Sequence, residues 1–177
     1  MSFKAHLENL KAYRKDREQL AAIAIEEQRI NELLSYCKMY DDSIAYKAAW
    51  TLEMVCLTDL TLLYPHLDIF FDLLPKSYQD QVVRPFGKIS EILCETYYKK
   101  KSAPLKKKHR ERMTEVCFDW LISNQKVACK AYAMQCLFYL GTEFNWIHPE
   151  LKIILEKDFS SEKPAFKARA RHILKKL

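Results

Sequence analysis

The sequence predicts an all-α chain in which helical hairpins repeat. Three observations support this fold class: apolar residues recur at three- and four-residue spacing, no stretch alternates with the period of a β-strand, and one short motif returns about every forty residues. The chain has 177 residues, of which 49% are hydrophobic and only two are glycine. This composition excludes a disordered chain, and two glycines are too few for a glycine-rich phosphate loop.

The helical pattern is clearest over residues 16–39, where apolar side chains fall on one face between acids and amides. The β-favouring stretch 67–74 is interpreted as a buried helix that Pro75 ends, because proline lacks the N–H that a helix needs to continue. No run approaches 18 apolar residues, and the first residues lack the apolar core of a signal peptide. We therefore expect no contact with a membrane and no signal peptide.

A short motif recurs where helices are predicted to begin. Residues 44–48, 127–131 and 164–168 align without gaps, and residues 85–89 form a weaker fourth copy. The copies place a lysine at equivalent positions, namely Lys47, Lys88, Lys130 and Lys167. Six residues before three of these lysines stand Asp41, Asn124 and Ser161, which are residue types that favour the N-cap of a helix. The weak copy has Val82 at that position, so the pattern fails once.

A period of about forty residues, each unit reading helix–turn–helix, indicates an α-solenoid. We predict one domain over residues 1–177, a right-handed stack whose second helices line an inner, concave surface. The predicted boundaries are an N-terminal helical cap at 1–26, helix pairs at 28–57, 65–98, 107–141 and 148–176, and a basic connector at 99–106.

The motif resembles that of the HEAT-repeat family, whose units carry an Asp at the start of the second helix and an Arg or Lys six residues later. Asp41 with Lys47 fits this pattern best, and Asn124 with Lys130 fits next. The unit around Lys88 departs from it. The whole chain is also similar to small bacterial HEAT-like proteins, some of which carry the name adenylosuccinate lyase.

The lyase name can be tested against the sequence. Enzymes of the lyase family are more than twice as long as this chain and use a flexible loop that reads approximately SSxMPxKxN. The nearest stretch, residues 160–167, has no Met, has its Pro and Lys out of register, and opens a predicted helix. We therefore expect no lyase activity and no catalytic residues, and we interpret the name as a transferred error.

The net charge of +6 is unevenly distributed. Residues 99–112 hold eight Lys or Arg against one Glu, residues 160–177 hold six against one, and the rest of the chain is net acidic. Each basic segment has two interpretations: a solvated connector or helix face, or a site for nucleic acid. The residues that would contact nucleic acid are Lys99, Lys100, Lys101, Lys106, Lys107, Lys108 and Arg110, together with Lys167 and Arg171 from the segment 163–176.

The four motif lysines also have two interpretations. As a structural ladder, each lysine would bond to the Asp, Asn or Ser cap of a neighbouring repeat. As a binding groove, the four lysines would line the concave surface and favour an acidic partner. Burying a lone ammonium group costs several kcal/mol, so Lys130, in an otherwise apolar helix, needs an acceptor or a path to solvent in either case.

The six cysteines lie inside apolar helical patterns and form no C-x-x-C pair. This favours reduced, buried thiols in a cytoplasmic protein over a disulfide framework or a zinc site. We expect no metal and no cofactor. Among the tryptophans, Trp50 and Trp120 are predicted to be in the core, whereas Trp146 follows a connector and is predicted to be exposed.

The resulting functional hypothesis is a non-catalytic scaffold that binds a protein or peptide partner on its concave helix face, with nucleic-acid binding as the alternative. The residues proposed to contact the partner alternate with core positions or are exposed aromatics: Lys47, Glu53, Lys88, Glu91, Lys130 and Trp146.

Overall fold

A computed structural model describes all residues from 1 to 177 and contains ten α-helices, two short 3-10 helices and no β-strand. The chain divides into two compact units, residues 1–89 and 90–177. The helices of the first unit are α1 (Phe3–Glu8), α2 (Arg14–Glu26), α3 (Ile30–Cys37), α4 (Ser43–Thr58) and α5 (Leu67–Leu73), with 3-10 helices at Leu60–His66 and Leu74–Lys76. Helix α6 (Asp80–Tyr98) contains the division, and the second unit continues with α7 (Lys107–Ile122), α8 (Val127–Leu140), α9 (Ile147–Asp158) and α10 (Pro164–Leu174).

The helical pattern over residues 16–39 is divided between α2 and α3. The break is at Gln28, whose φ of 56° lies in the left-handed region that few residues other than glycine adopt. The N–H of Gln28 bonds to the carbonyl of Ile25, and the N–H of Arg29 bonds to that of Ala24. This is a Schellman motif, which satisfies the last carbonyls of α2 and ends the helix without a glycine.

Helix α4 forms the centre of the first unit. It packs against α1, α2 and α3, and the alanines Ala45, Ala48 and Ala49 are fully buried along it. Small side chains let neighbouring helices approach closely, so α4 is buried around most of its circumference.

Helix α8 has the same position in the second unit. It packs against α7, α9 and α10, and Ala133, Met134, Cys136 and Leu137 are fully buried. The central helices of the two units, α4 and α8, are therefore the helices that carry Lys47 and Lys130.

All six cysteines are buried with free thiols, as the sequence predicts. Burial raises the pKa of the Cys37 and Cys56 thiols, because removal from water disfavours the thiolate. Trp120 is buried and Trp50 is half-buried, whereas Trp146 is 56% exposed.

The N-cap prediction is wrong for all three residues. Asp42, not Asp41, caps α4, because helical geometry begins one residue later; Asp41 instead accepts a hydrogen bond from the Tyr78 hydroxyl at 2.6 Å. Lys126 and Lys163 occupy the N-cap positions of α8 and α10, without a side-chain cap, in place of Asn124 and Ser161. In α10, Pro164 is the first helical residue and has no N–H to satisfy, so one of the bonds that a cap supplies is not needed.

No single helix is both long and apolar enough to cross a bilayer. One pair, Ser43–Thr58 and Leu60–Lys76, meets the length and composition criteria together, with a bend of 119° between its members.

Candidate functional site: a groove between two helices

The motif lysines bond to acceptors at the turns between helices. Lys47 Nζ donates to the main-chain carbonyl of Glu8, the last residue of α1, at 2.5 Å. Lys167 Nζ donates to the carbonyl of Ser160, which follows α9, at 3.0 Å. The carbonyl of Glu8, at the carboxyl end of α1, lacks an intrahelical partner and carries partial negative charge, which is why it attracts an ammonium group.

Lys130 makes an ion pair with Glu162 at 2.5 Å, with side-chain exposures of 13% and 19%. Lys88 is half-buried on α6 and also has an interaction partner. The acceptors for these lysines belong to Glu8, Glu162 and Ser160. None of them is Asp41, Asn124 or Ser161, the residues that the repeat pattern suggested. The three lysines therefore hold helix ends and turns in place.

Glu53 and Glu91 were expected to be accessible contacts, but their side chains are buried, with only 5% and 10% exposed. Glu53 pairs with Arg84 at 2.9 Å, and Glu91 pairs with Arg169 at 2.9 Å. The helical pattern could not show that an arginine from another helix covers each carboxylate.

Arg169 is positioned by two residues from different helices. Its Nη1 donates to Glu91 Oε1 at 2.9 Å and to Gln135 Oε1 at 3.2 Å, while 34% of the side chain stays exposed. Two acceptors on one nitrogen fix the orientation of the guanidinium plane. Sequence reasoning missed both Arg169 and Gln135, although Gln135 is the only amide in α8.

Arg169 lies on the wall of an open groove between α8 and α10, with a volume of about 700 Å³. We call it the α8–α10 groove. Four alanines and four larger polar side chains line it: Ala128, Ala131, Tyr132 and Gln135 from α8, and Ala165, Ala168, Arg169 and His172 from α10. Alanine side chains leave room for another chain to come close to the helix backbones.

Trp146 borders a smaller cleft of about 320 Å³, which Glu111, Thr114, Glu115 and Phe144 also line. The Trp146 ring stacks on Phe118, with centroids 5.5 Å apart and an interplanar angle of 19°. The sequence prediction that this tryptophan is exposed is confirmed.

Part of the basic segment 99–112 is used within the second unit. Arg110 makes a two-point ion pair with Glu143, with both N···O distances at 2.8 Å, and its guanidinium lies 4.7 Å from the Tyr97 ring centroid. Hydrogen bonds from Arg110, with a further one from the Tyr98 hydroxyl, lower the pKa of the Glu143 carboxyl against the opposing effect of its burial. Lys99 pairs with Glu95 at 3.2 Å.

The remaining lysines of this segment differ in their surroundings. Lys107 makes an exposed ion pair with Glu111 at 3.5 Å, and Lys108 also has an interaction partner. Lys100, Lys101 and Lys106 are exposed. In α10, Lys167 is bonded as described above, and the Arg171 guanidinium lies 5.6 Å from the Phe159 ring centroid. The predicted nucleic-acid residues are therefore partly committed to other contacts.

The family assignment follows from comparison with protein-family models. The model described as the HEAT repeat domain matches residues 3–177. The chain belongs to this family. HEAT repeat domains are in general non-catalytic repeat scaffolds that mediate protein interactions. Comparisons with curated proteins and with solved structures find no match.

Proposed function

We propose that this HEAT repeat domain is a non-catalytic scaffold that binds a segment of a protein partner in the α8–α10 groove. The observation that carries the proposal is the open groove itself, because its lining, half of it alanine, lies on the second helices of two predicted hairpins. Family membership supports a binding role, since HEAT repeats generally mediate protein interactions.

The predicted contact residues fall into two groups, those bonded within the protein and those available to a partner. Lys47, Lys88 and Lys130 are assigned to structural bonding, because each has a partner within the protein. Trp146 remains a proposed second contact, since its exposed ring and the cleft beside it offer apolar area to a partner.

A photo-crosslinking amino acid tests the proposed groove. In one variant it replaces Ala168, which is exposed and lines the groove. In the matched control it replaces Ala12, which is exposed and does not line the groove. In native lysate we expect a discrete protein adduct from position 168 and none from position 12. The bulky variant Ala168→Tyr should abolish capture of that protein, and Ala12→Tyr should leave it intact.

The proposal fails if no adduct forms at position 168, or if Ala168→Tyr captures the same protein as the unmodified chain. Circular dichroism melts of both tyrosine variants should match that of the unmodified protein, because both alanines face solvent.

Nucleic-acid binding is the alternative function. The observation that favours it is the exposure of Lys100, Lys101 and Lys106 in one short segment. If about six lysines contact phosphates, the affinity for DNA should fall by about 10³-fold or more between 50 and 200 mM salt. Affinity that is flat with salt, or absent for duplex and single-stranded DNA, excludes this alternative.

An enzyme of the adenylosuccinate lyase type is the third hypothesis, and we propose that the chain lacks this activity. Incubating purified protein with adenylosuccinate and measuring fumarate release tests this directly. Turnover above the rate of a heat-denatured sample would contradict the scaffold assignment.

We also propose that the hairpins α3–α4, α5–α6, α7–α8 and α9–α10 form one right-handed stack behind a cap at residues 1–26, and that the protein is cytoplasmic. The packing of α3 on α4 and of α7 on α8 supports the hairpin assignment, and six buried thiols suit a reducing compartment. A crystal structure tests the stack, and cell fractionation tests the compartment.

A further inference from the structure

We infer that the occupant of the α8–α10 groove is an acidic peptide segment, and that Arg169 binds a carboxylate of that segment. This inference rests on the proposed function and specifies the chemistry of the partner. Three features of the described structure support it: how Arg169 is held, which charges surround the groove, and where the other cations of α10 are directed.

Arg169 has one occupied edge and one open edge. Its Nη1 is bonded to Glu91 and Gln135, whereas its Nε and Nη2 make no hydrogen bond. These two atoms form the edge of a guanidinium that fits a carboxylate with two parallel hydrogen bonds. Because Glu91 and Gln135 already fix the plane, little side-chain entropy remains to be lost on binding.

The charges around the groove favour an anion. Residues 126–140 and 163–177 contain eight Lys or Arg and no Asp or Glu. Glu91, from α6, balances the single charge of Arg169, and Glu162 balances that of Lys130. Among the eight residues that line the groove, Arg169 carries a positive charge and none is Asp or Glu, so the lining itself favours an anion.

The geometry favours a peptide over nucleic acid. Two other cations of α10 are directed elsewhere, Lys167 to the Ser160 carbonyl and Arg171 to the Phe159 ring. The groove therefore presents one anchored guanidinium beside four alanines and lacks the track of phosphate contacts that nucleic-acid backbones require.

Selection from a random dodecapeptide display library tests the inference. We expect peptides selected by the unmodified protein to be enriched in Asp or Glu at one position. Ala168→Tyr should select no peptides above background, because the groove is filled. The double variant Glu91→Gln/Arg169→Gln removes both charges without leaving a buried carboxylate unpaired, and it should select peptides without the acidic preference.

One enriched peptide, labelled with fluorescein, then gives dissociation constants by anisotropy. Arg169→Lys keeps the positive charge but loses the two-point geometry, so binding should weaken about tenfold. Arg171→Lys, two residues along the same helix and outside the groove lining, is the matched control and should change affinity by less than about twofold. Thermal melts of each variant verify that it is folded.

The outcomes separate the two proposals. If the unmodified protein selects no peptides, the groove binds no peptide and both proposals fail. If it selects peptides without acidic preference, or if Arg169→Lys and Arg171→Lys bind alike, only the acidic-segment inference is overturned. Tighter binding of a twelve-residue oligothymidylate, with the same sensitivity to Arg169→Lys, would also overturn it in favour of nucleic acid.

Discussion

At the residue scale, the side chains that sequence patterns presented as surface charges are mainly cross-helix anchors. Glu53 and Glu91 are buried and each meets an arginine, and Lys130 meets Glu162. The net contribution of buried pairs to stability is small, because desolvation offsets much of the attraction. Removing one partner is costly, since the other is left buried without compensation.

Arg84→Ala should lower the free energy of unfolding by about 2 kcal/mol, because it leaves the Glu53 carboxylate buried and unpaired. The matched control is Lys4→Ala, which removes the exposed Lys4–Glu8 pair and should cost less than about 0.5 kcal/mol. Urea titration measures both. Equal losses of unfolding free energy for the two variants would show that Arg84 does not stabilise the buried Glu53 carboxylate.

The pair of Glu143 with Arg110 should make stability depend on pH. Because the folded state lowers the pKa of Glu143, the pair stabilises the protein above the ordinary carboxyl value of 4.5, and this contribution disappears as pH falls through the lower folded pKa. Glu143→Gln should therefore reduce stability by about 1 kcal/mol at pH 7 and by progressively less below pH 4.5. Melts of both proteins from pH 7 to pH 3 test this, and a difference that does not vary with pH would contradict it.

At the element scale, helix ends in this protein depend on contacts from neighbouring segments more than on N-cap side chains. Seven of the ten α-helices have no hydrogen bond to the side chain of their N-cap residue: α2, α3, α5, α7, α8, α9 and α10. At carboxyl ends, lysines bond to the carbonyl of the last residue of α1 and to a carbonyl in the turn after α9. At the junction of α8 and α9, the His148 ring packs directly against Gly141.

Gly141→Ala should destabilise the protein by about 1–3 kcal/mol, because the added Cβ would overlap the His148 ring. That ring is fixed by a 2.8 Å hydrogen bond to the Phe138 carbonyl and by stacking on Phe138. Combining Gly141→Ala with His148→Ala should remove the clash, so the double variant should be more stable than the sum of the single effects implies. Simple additivity in urea titrations would disprove the steric explanation.

Lys130→Ala should lower stability by about 1–2 kcal/mol, since Glu162 would lose its partner in a partly buried site. Lys163→Ala, on the exposed side of the same turn, is the control and should change stability by less than about 0.5 kcal/mol. Thermal denaturation of the two variants measures the difference. Unchanged stability of Lys130→Ala would contradict the structural role and favour the interpretation that Lys130 contacts a partner.

At the scale of the whole molecule, the chain combines apolar cores in two compact units with two basic segments. The cores contain all six cysteines, and none of the thiols reaches the surface. Thiol reactivity therefore reports on the integrity of both units at once.

Native protein at pH 8 should react with fewer than about one equivalent of Ellman's reagent, because burial blocks access and raises the pKa of thiols such as Cys37 and Cys56. After denaturation in guanidinium chloride, all six cysteines should react. Rapid reaction of several thiols in the native state would mean that one of the units opens easily.

The sequence alone determined the helical class, the burial of the cysteines, the exposure of Trp146 and membership in a repeat family. These properties follow from local periodicity and from recurrence along the chain, and both can be read directly from the amino-acid sequence. The tertiary structure decided which charges meet. Arg169 is 78 residues from Glu91 and 34 from Gln135, and no local pattern relates these positions. The α8–α10 groove likewise exists only when two helices that are separate in the chain pack side by side, because its lining comes from both.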